Sequence, residues 1–270
     1  MSIAMLMRQS WASKGDMGMI RLALMAAALA SVAQPASAQR GEPPRATFER
    51  GMRSSAGGAV LVALERNFPQ DARRLIDRLY ADAAANRGNL DAVLPRAAQA
   101  MIDVLRSRAA ELANGPAPAL VRIVRLKRDL VEQMRQQDIA LCGRFSVQDP
   151  GQGIVMPPAL RDRARQISIA MIDAAGAGSR APRVAGRGSL SEPDRQAYVA
   201  ALQRGDPGGE LVVLIGDPVA LRAASPERQC GVGLLLYQAV LDLPEERAGN
   251  VAAALLILEL GVSPGGSTAR

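Results

Sequence analysis

The sequence contains no histidine, which removes several classes of active site at once. Ser-His-Asp and Cys-His catalytic systems, His-rich zinc sites and the commonest general base all depend on an imidazole. The two cysteines, Cys142 and Cys230, are too few for a thiolate metal site and do not form a C-x-x-C pair. The sequence therefore identifies no catalytic residue, no cofactor-binding residue and no metal ligand.

Aromatic residues are also scarce, at 3% of the chain, and lysine is almost absent. Beyond residue 38 the only lysine is Lys127, and arginine supplies every other basic side chain. The formal net charge is +7 for the whole chain and +5 without residues 1–38, with acids scattered among the arginines. Nucleic-acid binders concentrate positive charge on one face and often stack bases on aromatic rings. We therefore expect no nucleic-acid partner.

The N-terminus has the order of a secretory signal peptide over residues 1–38. Basic residues precede an apolar stretch over 22–33, and a small-residue triplet ends at Ala38. A membrane-spanning helix needs about 20 apolar residues, so a stretch of 12 is too short to be a stable anchor, which is the alternative interpretation. Cleavage between Ala38 and Gln39 predicts a periplasmic or secreted protein with no transmembrane span in the mature chain. Met1 and Met17 both remain possible starts.

Strand signals are almost absent, and apolar residues recur with the 3.6-residue period of a helix. Hydrophobic residues make up 49% of the chain, enough to build one sizeable core. We predict an all-α fold, an irregular bundle of about nine helices, with two strongly apolar C-terminal helices at its centre, around residues 232–241 and 251–258. One segment, Leu211–Ile215, fits either a lone strand or a buried turn of helix.

Caps, prolines and glycines predict where the helices begin and end. Ser191, Asp217 and Ser225 each stand just before a proline-containing first turn, which is typical of a helix start. The predicted helices cover residues 47–66, 69–85, 89–112, 118–141, 157–175 and 192–204, a short helix from 217, and residues 226–242 and 244–260.

Outside these helices the chain is expected to be loosely held. We predict a flexible N-terminus over 39–46, a single helical domain over 47–262 and a flexible tail over 263–270. Residues 176–188 contain four glycines and three arginines with almost no large apolar side chain, so a domain boundary, if one exists, falls there. These glycines match no phosphate-binding pattern.

Cys142 and Cys230 are predicted to form a disulfide, because an even number of thiols tends to pair in an oxidising compartment. Cys142 is expected at the end of the fourth helix, and Cys230 in the first turns of the helix after Pro226. The alternative is a pair of buried free thiols that pack as small apolar residues.

The acidic residues are the remaining candidates for catalysis, but the positions of most of them are explained by a structural role. Several stand at predicted helix starts, where the helix dipole stabilises a carboxylate, whereas Glu259 lies in an apolar run, near a helix end from which it can reach solvent. The acids considered are Glu192, Asp217, Glu227, Glu245, Glu246 and Glu259. We therefore favour a non-catalytic binding or structural module of the cell envelope. The alternative is a carboxylate-dependent hydrolase or lyase acting on envelope glycan.

Two groups of arginines could together form a basic patch for a membrane surface or an anionic glycan. These arginines are Arg161, Arg163 and Arg165 in the fifth predicted helix, and Arg180, Arg183 and Arg187 in the segment that follows. Because arginine is spread through the whole chain, an ordinary solvated face is the favoured interpretation. The partner is thus an unspecified envelope protein or glycan.

We expect the exported protein to begin at Gln39, because the charged, apolar and small-residue segments follow one another in the order of a cleaved signal. The intact mass of the protein recovered from the periplasm or the medium of its native host measures this directly. Recovery of an exported protein that still begins at Met1 would contradict the prediction.

Overall fold

The computed structural model describes residues 44–55, 57–86, 90–147, 156–184 and 186–262. The predicted signal peptide, its cleavage site at Ala38 and Gln39, and the tail over 263–270 lie outside these ranges.

The described residues form thirteen α-helices and no strand, so the prediction of an all-α fold is confirmed. The helices are α1 (Arg45–Ser54), α2 (Gly58–Asn67), α3 (Pro69–Ala85), α4 (Leu90–Ser107), α5 (Ala109–Ala113), α6 (Ala117–Gln137), α7 (Ile139–Val147), α8 (Pro158–Arg180), α9 (Glu192–Gly205), α10 (Glu210–Gly216), α11 (Pro218–Ala223), α12 (Pro226–Leu241) and α13 (Glu245–Glu259).

This count exceeds the predicted nine because three predicted helices are each divided in two and one ambiguous segment is helical. The division between α6 and α7 has a clear local cause. Asp138 takes an extended backbone conformation, and its carboxylate accepts a hydrogen bond from the backbone N–H of Leu141 at 3.0 Å. An Asp side chain that bonds the backbone in this way competes with a continuing helix. Cys142 therefore lies within α7, not at the end of the fourth predicted helix.

The ambiguous segment Leu211–Ile215 belongs to α10. Gly209 precedes that helix with a left-handed φ of 72°, a conformation that glycine adopts without strain. The carboxylate of Asp206 then accepts hydrogen bonds from the backbone N–H groups of Leu211 and Val212, at 2.7 and 2.9 Å. These contacts satisfy donors at the start of the helix, so the helical alternative holds.

The predicted N-caps are confirmed at three helix starts. The side chain of Ser191 accepts from the N–H of Asp194, that of Asp217 accepts from two N–H groups of α11, and that of Ser225 accepts from the N–H of Arg228. Each bond satisfies a backbone donor that the helix itself leaves unpaired.

Helix α8 continues to Arg180, five residues beyond its predicted end. Two of the four glycines in the segment 176–188 are therefore helical, and both lie where the helix packs closely against its neighbours. A Cβ added at Gly176 would lie 2.0 Å from Oδ1 of Asn67, and one at Gly178 would lie 2.0 Å from the carbonyl oxygen of Glu111. Glycine is needed here because the neighbouring chain approaches the α8 backbone too closely for a side chain.

The connection that follows α8 is held by Asn114, a buried residue just after α5. Its amide nitrogen donates to the carbonyl oxygens of Gly178 at 2.9 Å and Pro182 at 3.1 Å, and its oxygen accepts from the N–H of Val184 at 3.1 Å. The boundary suggested for residues 176–188 thus contains a stretch of helix and a hydrogen-bonded turn. The single-domain assignment itself stays a prediction.

The core is built around α6, which packs against α7, α8, α12 and α13. The two apolar C-terminal helices, α12 and α13, are buried along most of their length. Small residues let these helices approach closely: a Cβ added at Gly249 of α13 would lie 2.4 Å from Cβ of Ala117 in α6. In the part of the chain that the structure describes, no helix is long and apolar enough to cross a membrane.

The two cysteines lie at disulfide distance, as predicted, with their Cα atoms 5.2 Å apart. The bond joins α7 to α12, the helix pair with the most extensive contact in the fold, and both cysteines are fully buried. A Cβ added at Gly143, beside Cys142, would lie 2.8 Å from the backbone of Pro226. The bridge thus fixes an interface that is already closely packed.

We expect a Cys142→Ala/Cys230→Ala variant to melt at a lower temperature than the wild type while keeping its helical circular dichroism at low temperature. The chain-entropy model gives about 4 to 5 kcal/mol as an upper figure for a loop of this length. Each kcal/mol shifts the melting temperature by about 2 to 4 °C in a domain of this size. Thermal unfolding followed by circular dichroism measures the difference, and an unchanged midpoint would contradict the expectation.

Candidate functional site

The most unusual feature of the interior is a group of buried polar side chains supplied by four helices. Lys127 comes from α6, Tyr198 from α9, Tyr237 from α12 and Glu259 from the last turn of α13. We call these four residues the Lys127 cluster. They include the sole lysine of the described residues and two of the three tyrosines in the chain.

Lys127 occupies an inward position on α6 because of the helical period. The apolar residues Ile123, Val124, Leu130 and Val131 define the buried face, and Lys127 lies between them at a spacing of three or four residues. Its neighbours in sequence, Arg125 and Arg128, point away from the core centre and are exposed or half-buried. This placement was not predicted from the sequence, although the period of the apolar residues carries the signal.

The charged groups of the cluster are in direct contact. Lys127 Nζ lies 2.6 Å from Glu259 Oε2, and the Tyr237 hydroxyl donates a hydrogen bond to Glu259 Oε1 at 2.9 Å. Lys127 is only 1% exposed and Glu259 8% exposed. The Tyr198 hydroxyl donates to the backbone carbonyl of Leu236 at 3.1 Å, one residue before Tyr237. Both carboxylate oxygens of Glu259 are therefore engaged.

Burial shifts the pKa values of this group in a consistent way. It lowers the pKa of Lys127 and raises the pKa of Glu259, and in each case the opposite charge of the partner opposes the shift. Burial also raises the pKa of Tyr237 and of Tyr198, so both hydroxyls stay protonated as donors. The free-energy difference between the ion pair and the neutral amine–carboxylic acid pair is accordingly smaller here than it is in water.

Surface grooves lie elsewhere on the described structure. One of about 240 Å³ runs between α3 and α4, and one of about 230 Å³ is formed by α1, α2 and α3. A third, of about 290 Å³, lies between the turn after α8, the start of α9 and Asn250 of α13. None of these grooves is lined by a residue of the Lys127 cluster. The site is thus an interior contact between helices.

The other predicted acids are spread over helix starts. Asp217 caps α11, Glu192 pairs with Arg195 in the first turn of α9, and Glu227 lies in the first turn of α12. Backbone and Ser225 hydrogen bonds lower the pKa of Glu227, as expected for a carboxylate at a helix start. Glu245 and Glu246 begin α13 and lie about 20 Å along the helix from Glu259.

The structure does not bring the two groups of arginines together. Arg161 and Arg165 lie in the first turns of α8, whereas Arg180 ends that helix, about 22 to 28 Å away along its axis. Arg161 donates to the carbonyl of Met156 at 3.1 Å, and Arg165 forms an ion pair with Asp162. These arginines are separate solvated or paired residues, which is the interpretation favoured from the sequence.

A second buried acid, Asp71, is not among the acids predicted from the sequence. It lies in the first turn of α3, is 4% exposed, and accepts hydrogen bonds from Arg74 and, at 2.7 Å, from Arg108 Nε. Hydrogen bonding to Asp71 raises the pKa of Arg108, whose guanidinium also lies 4.8 Å from the Phe68 ring centroid. This network connects α3 to the break between α4 and α5.

No family model, curated protein or solved structure matches this chain. Within the described residues no group of three or more acidic or cysteine side chains is arranged to hold a metal ion. The chemistry of the Lys127 cluster is therefore that of an amine, a carboxyl group and two phenols held together in an apolar interior.

We expect Lys127→Met to destabilise the fold by about 3 to 5 kcal/mol, because it leaves Glu259 as an unpaired buried charge. The double variant Lys127→Met/Glu259→Leu should be more stable than the Lys127→Met single variant, since it removes both charges. Urea denaturation of the single and double variants measures these differences.

A matched control is available on the same helix. Arg135 pairs with Glu132 at 2.8 Å, but its side chain is 53% exposed, so Arg135→Met should cost less than about 1 kcal/mol. Equal costs for Arg135→Met and Lys127→Met would contradict the role given to burial.

Proposed function

We propose that this protein is an exported, non-catalytic binding or structural module of the cell envelope, processed after Ala38 and located in the periplasm or outside the cell. Its partner is an envelope protein or a glycan. The observation that carries the proposal is the state of Glu259, the one predicted acid in an apolar setting. Both of its carboxylate oxygens are engaged by Lys127 and Tyr237, and its side chain is enclosed.

The alternative function, a carboxylate-dependent hydrolase or lyase, makes a different demand on the acids. Glycan cleavage needs a carboxylic acid that contacts the scissile bond, usually with a second carboxylate about 5 to 9.5 Å from the first. Glu259 is buried on α13 and held by Lys127 of α6 and Tyr237 of α12, while Asp217 and Glu227 lie at separate helix starts. This distribution favours a role in holding the fold together over one in catalysis.

Export is supported by the cysteines as well as by the N-terminal sequence. A fully buried pair at disulfide distance is typical of proteins that mature in an oxidising compartment. The bond lies in the interface between α7 and α12, where its contribution is to stability. An extracytoplasmic module that must persist without repair gains from such a link.

Two assays on the mature chain separate the proposed function from its alternative. Purified protein is incubated with isolated cell-wall sacculi and with detergent-solubilised envelope, and the retained fraction and any released saccharide are both measured. We expect saturable retention by one of these materials, without saccharide release above that of a heat-denatured sample.

Catalysis would give the opposite pattern. Release of saccharide by the wild type, with loss of that release in Asp217→Asn or Glu227→Gln, would support the alternative and contradict a non-catalytic module. These two exposed acids are suitable for the comparison because their replacement removes no buried charge. Absence of retention on both materials would also contradict the proposal.

A further inference from the structure

The presence of a lysine at position 127 calls for a physical reason. Beyond residue 38 every other basic side chain is arginine, so the residue usage of the chain favours arginine strongly. An arginine remains protonated under all ordinary conditions, whereas a buried lysine can become a neutral amine. A neutral amine is a nucleophile, and a guanidinium is not. Lys127 is the one buried basic residue among those described, and its side chain is of the type that becomes a nucleophile when it is neutral.

The geometry places that amine beside the carboxyl group of Glu259. Lys127 Nζ lies 2.6 Å from Glu259 Oε2, and the carboxyl carbon Cδ is one covalent bond further on. Two groups held together in this way react as one molecule, and effective molarities of about 10⁵ M or more are reached when their reacting atoms, here Nζ and Cδ, are well oriented. Burial of both groups excludes the water that competes as a nucleophile and that would hydrolyse the product.

We propose that Lys127 and Glu259 condense to an intramolecular amide bond that joins α6 to α13. Within the ion pair, the proton first moves from Nζ to the carboxylate, which gives a neutral amine and a carboxylic acid. The Nζ lone pair then attacks Cδ and forms a tetrahedral intermediate. The Cδ–Oε2 bond breaks, Oε2 leaves as water with the carboxylic proton and one proton from Nζ, and the amide remains. The step needs no oxidant, reductant or further reactant.

Tyr237 is placed to assist this step. Its hydroxyl donates to Glu259 Oε1 at 2.9 Å, the oxygen that stays on Cδ and becomes the amide carbonyl. Negative charge develops on that oxygen in the tetrahedral intermediate, and a fixed donor in an apolar site stabilises such charge. The raised pKa of Tyr237 keeps the donor proton in place. Tyr237 thus contacts the oxygen that stays, while Lys127 contacts the oxygen that leaves.

The bond would complete a pattern of cross-links between the two halves of the chain. The disulfide joins α7 to α12, and the amide would join α6 to α13, across a sequence separation of 132 residues. An amide, unlike a disulfide, is not broken by reductants. This inference does not depend on the proposed function, because it concerns only the interior of the fold.

A tryptic map of the purified full-length protein tests the proposal under denaturing and reducing conditions. Trypsin cleaves after Arg125, Arg128 and Arg247, but it does not cleave after an acylated lysine. We expect a branched peptide in which Leu126–Arg128 is joined to Ala248–Arg270, with a mass one water below the sum of its parts. Free Ala248–Arg270, together with cleavage after Lys127, would overturn the proposal.

The peptide map is needed because intact mass alone is ambiguous. An N-terminal Gln39 can cyclise and lose ammonia, which gives a similar decrease in mass, but that change does not affect the Lys127 peptide. Lys127→Arg preserves the charge pair and cannot form the amide, so its Ala248–Arg270 peptide should be entirely free. Because this variant could fail to fold, the wild-type map decides the question.

Tyr237→Phe provides a second measurement, because it removes only the hydroxyl and keeps the ring. We expect the cross-linked fraction in freshly purified protein to fall at least tenfold and then to rise with time. A cross-linked fraction equal to that of the wild type at the earliest time would remove Tyr237 from the mechanism.

Discussion

The structure depends on one electrostatic constraint, which is that the ammonium group of Lys127 must be neutralised within an apolar interior. A buried charge without a partner costs several kcal/mol, far more than the loss of an exposed ion pair. Lys127 finds its partner on α13 and that partner finds a second donor on α12, so three helices must adopt one relative position for both contacts to form. A shift of α13 along α6 by one turn would leave both charges unpaired.

Packing around this contact is dominated by small residues, which follows from the scarcity of aromatics. Few large rings are available to fill space between helices, so the helices approach until backbones and Cβ atoms touch. Gly249 lies against Ala117, Gly233 lies against Ser146, and Gly178 lies against the backbone of α5. Such contacts fix the relative position of two helices because they leave little room for side-chain rearrangement. The charge pair and the glycine contacts therefore specify the same arrangement.

The same constraint separates the roles of the acids. Carboxylates at helix starts satisfy backbone donors locally, and they can do so whatever the tertiary structure is. Glu259 and Asp71 are different, because each is buried and is satisfied by a cation from another helix or helix break. Both carboxylates are occupied by partners inside the protein. For this reason the proposed function is that of a binding or structural module and not that of an enzyme that cleaves. The proposed amide extends this logic from an electrostatic contact to a covalent one.

The sequence by itself determined the helical class, the caps at Ser191, Asp217 and Ser225, and the pairing of the only two cysteines. Helical period and capping are encoded among residues a few positions apart, so they can be read without a structure. Only the tertiary structure decided that Lys127 meets Glu259 and that Gly176 and Gly178 belong to a helix. Those outcomes depend on how distant helices align, and the identity of a distant partner leaves no mark on the local pattern.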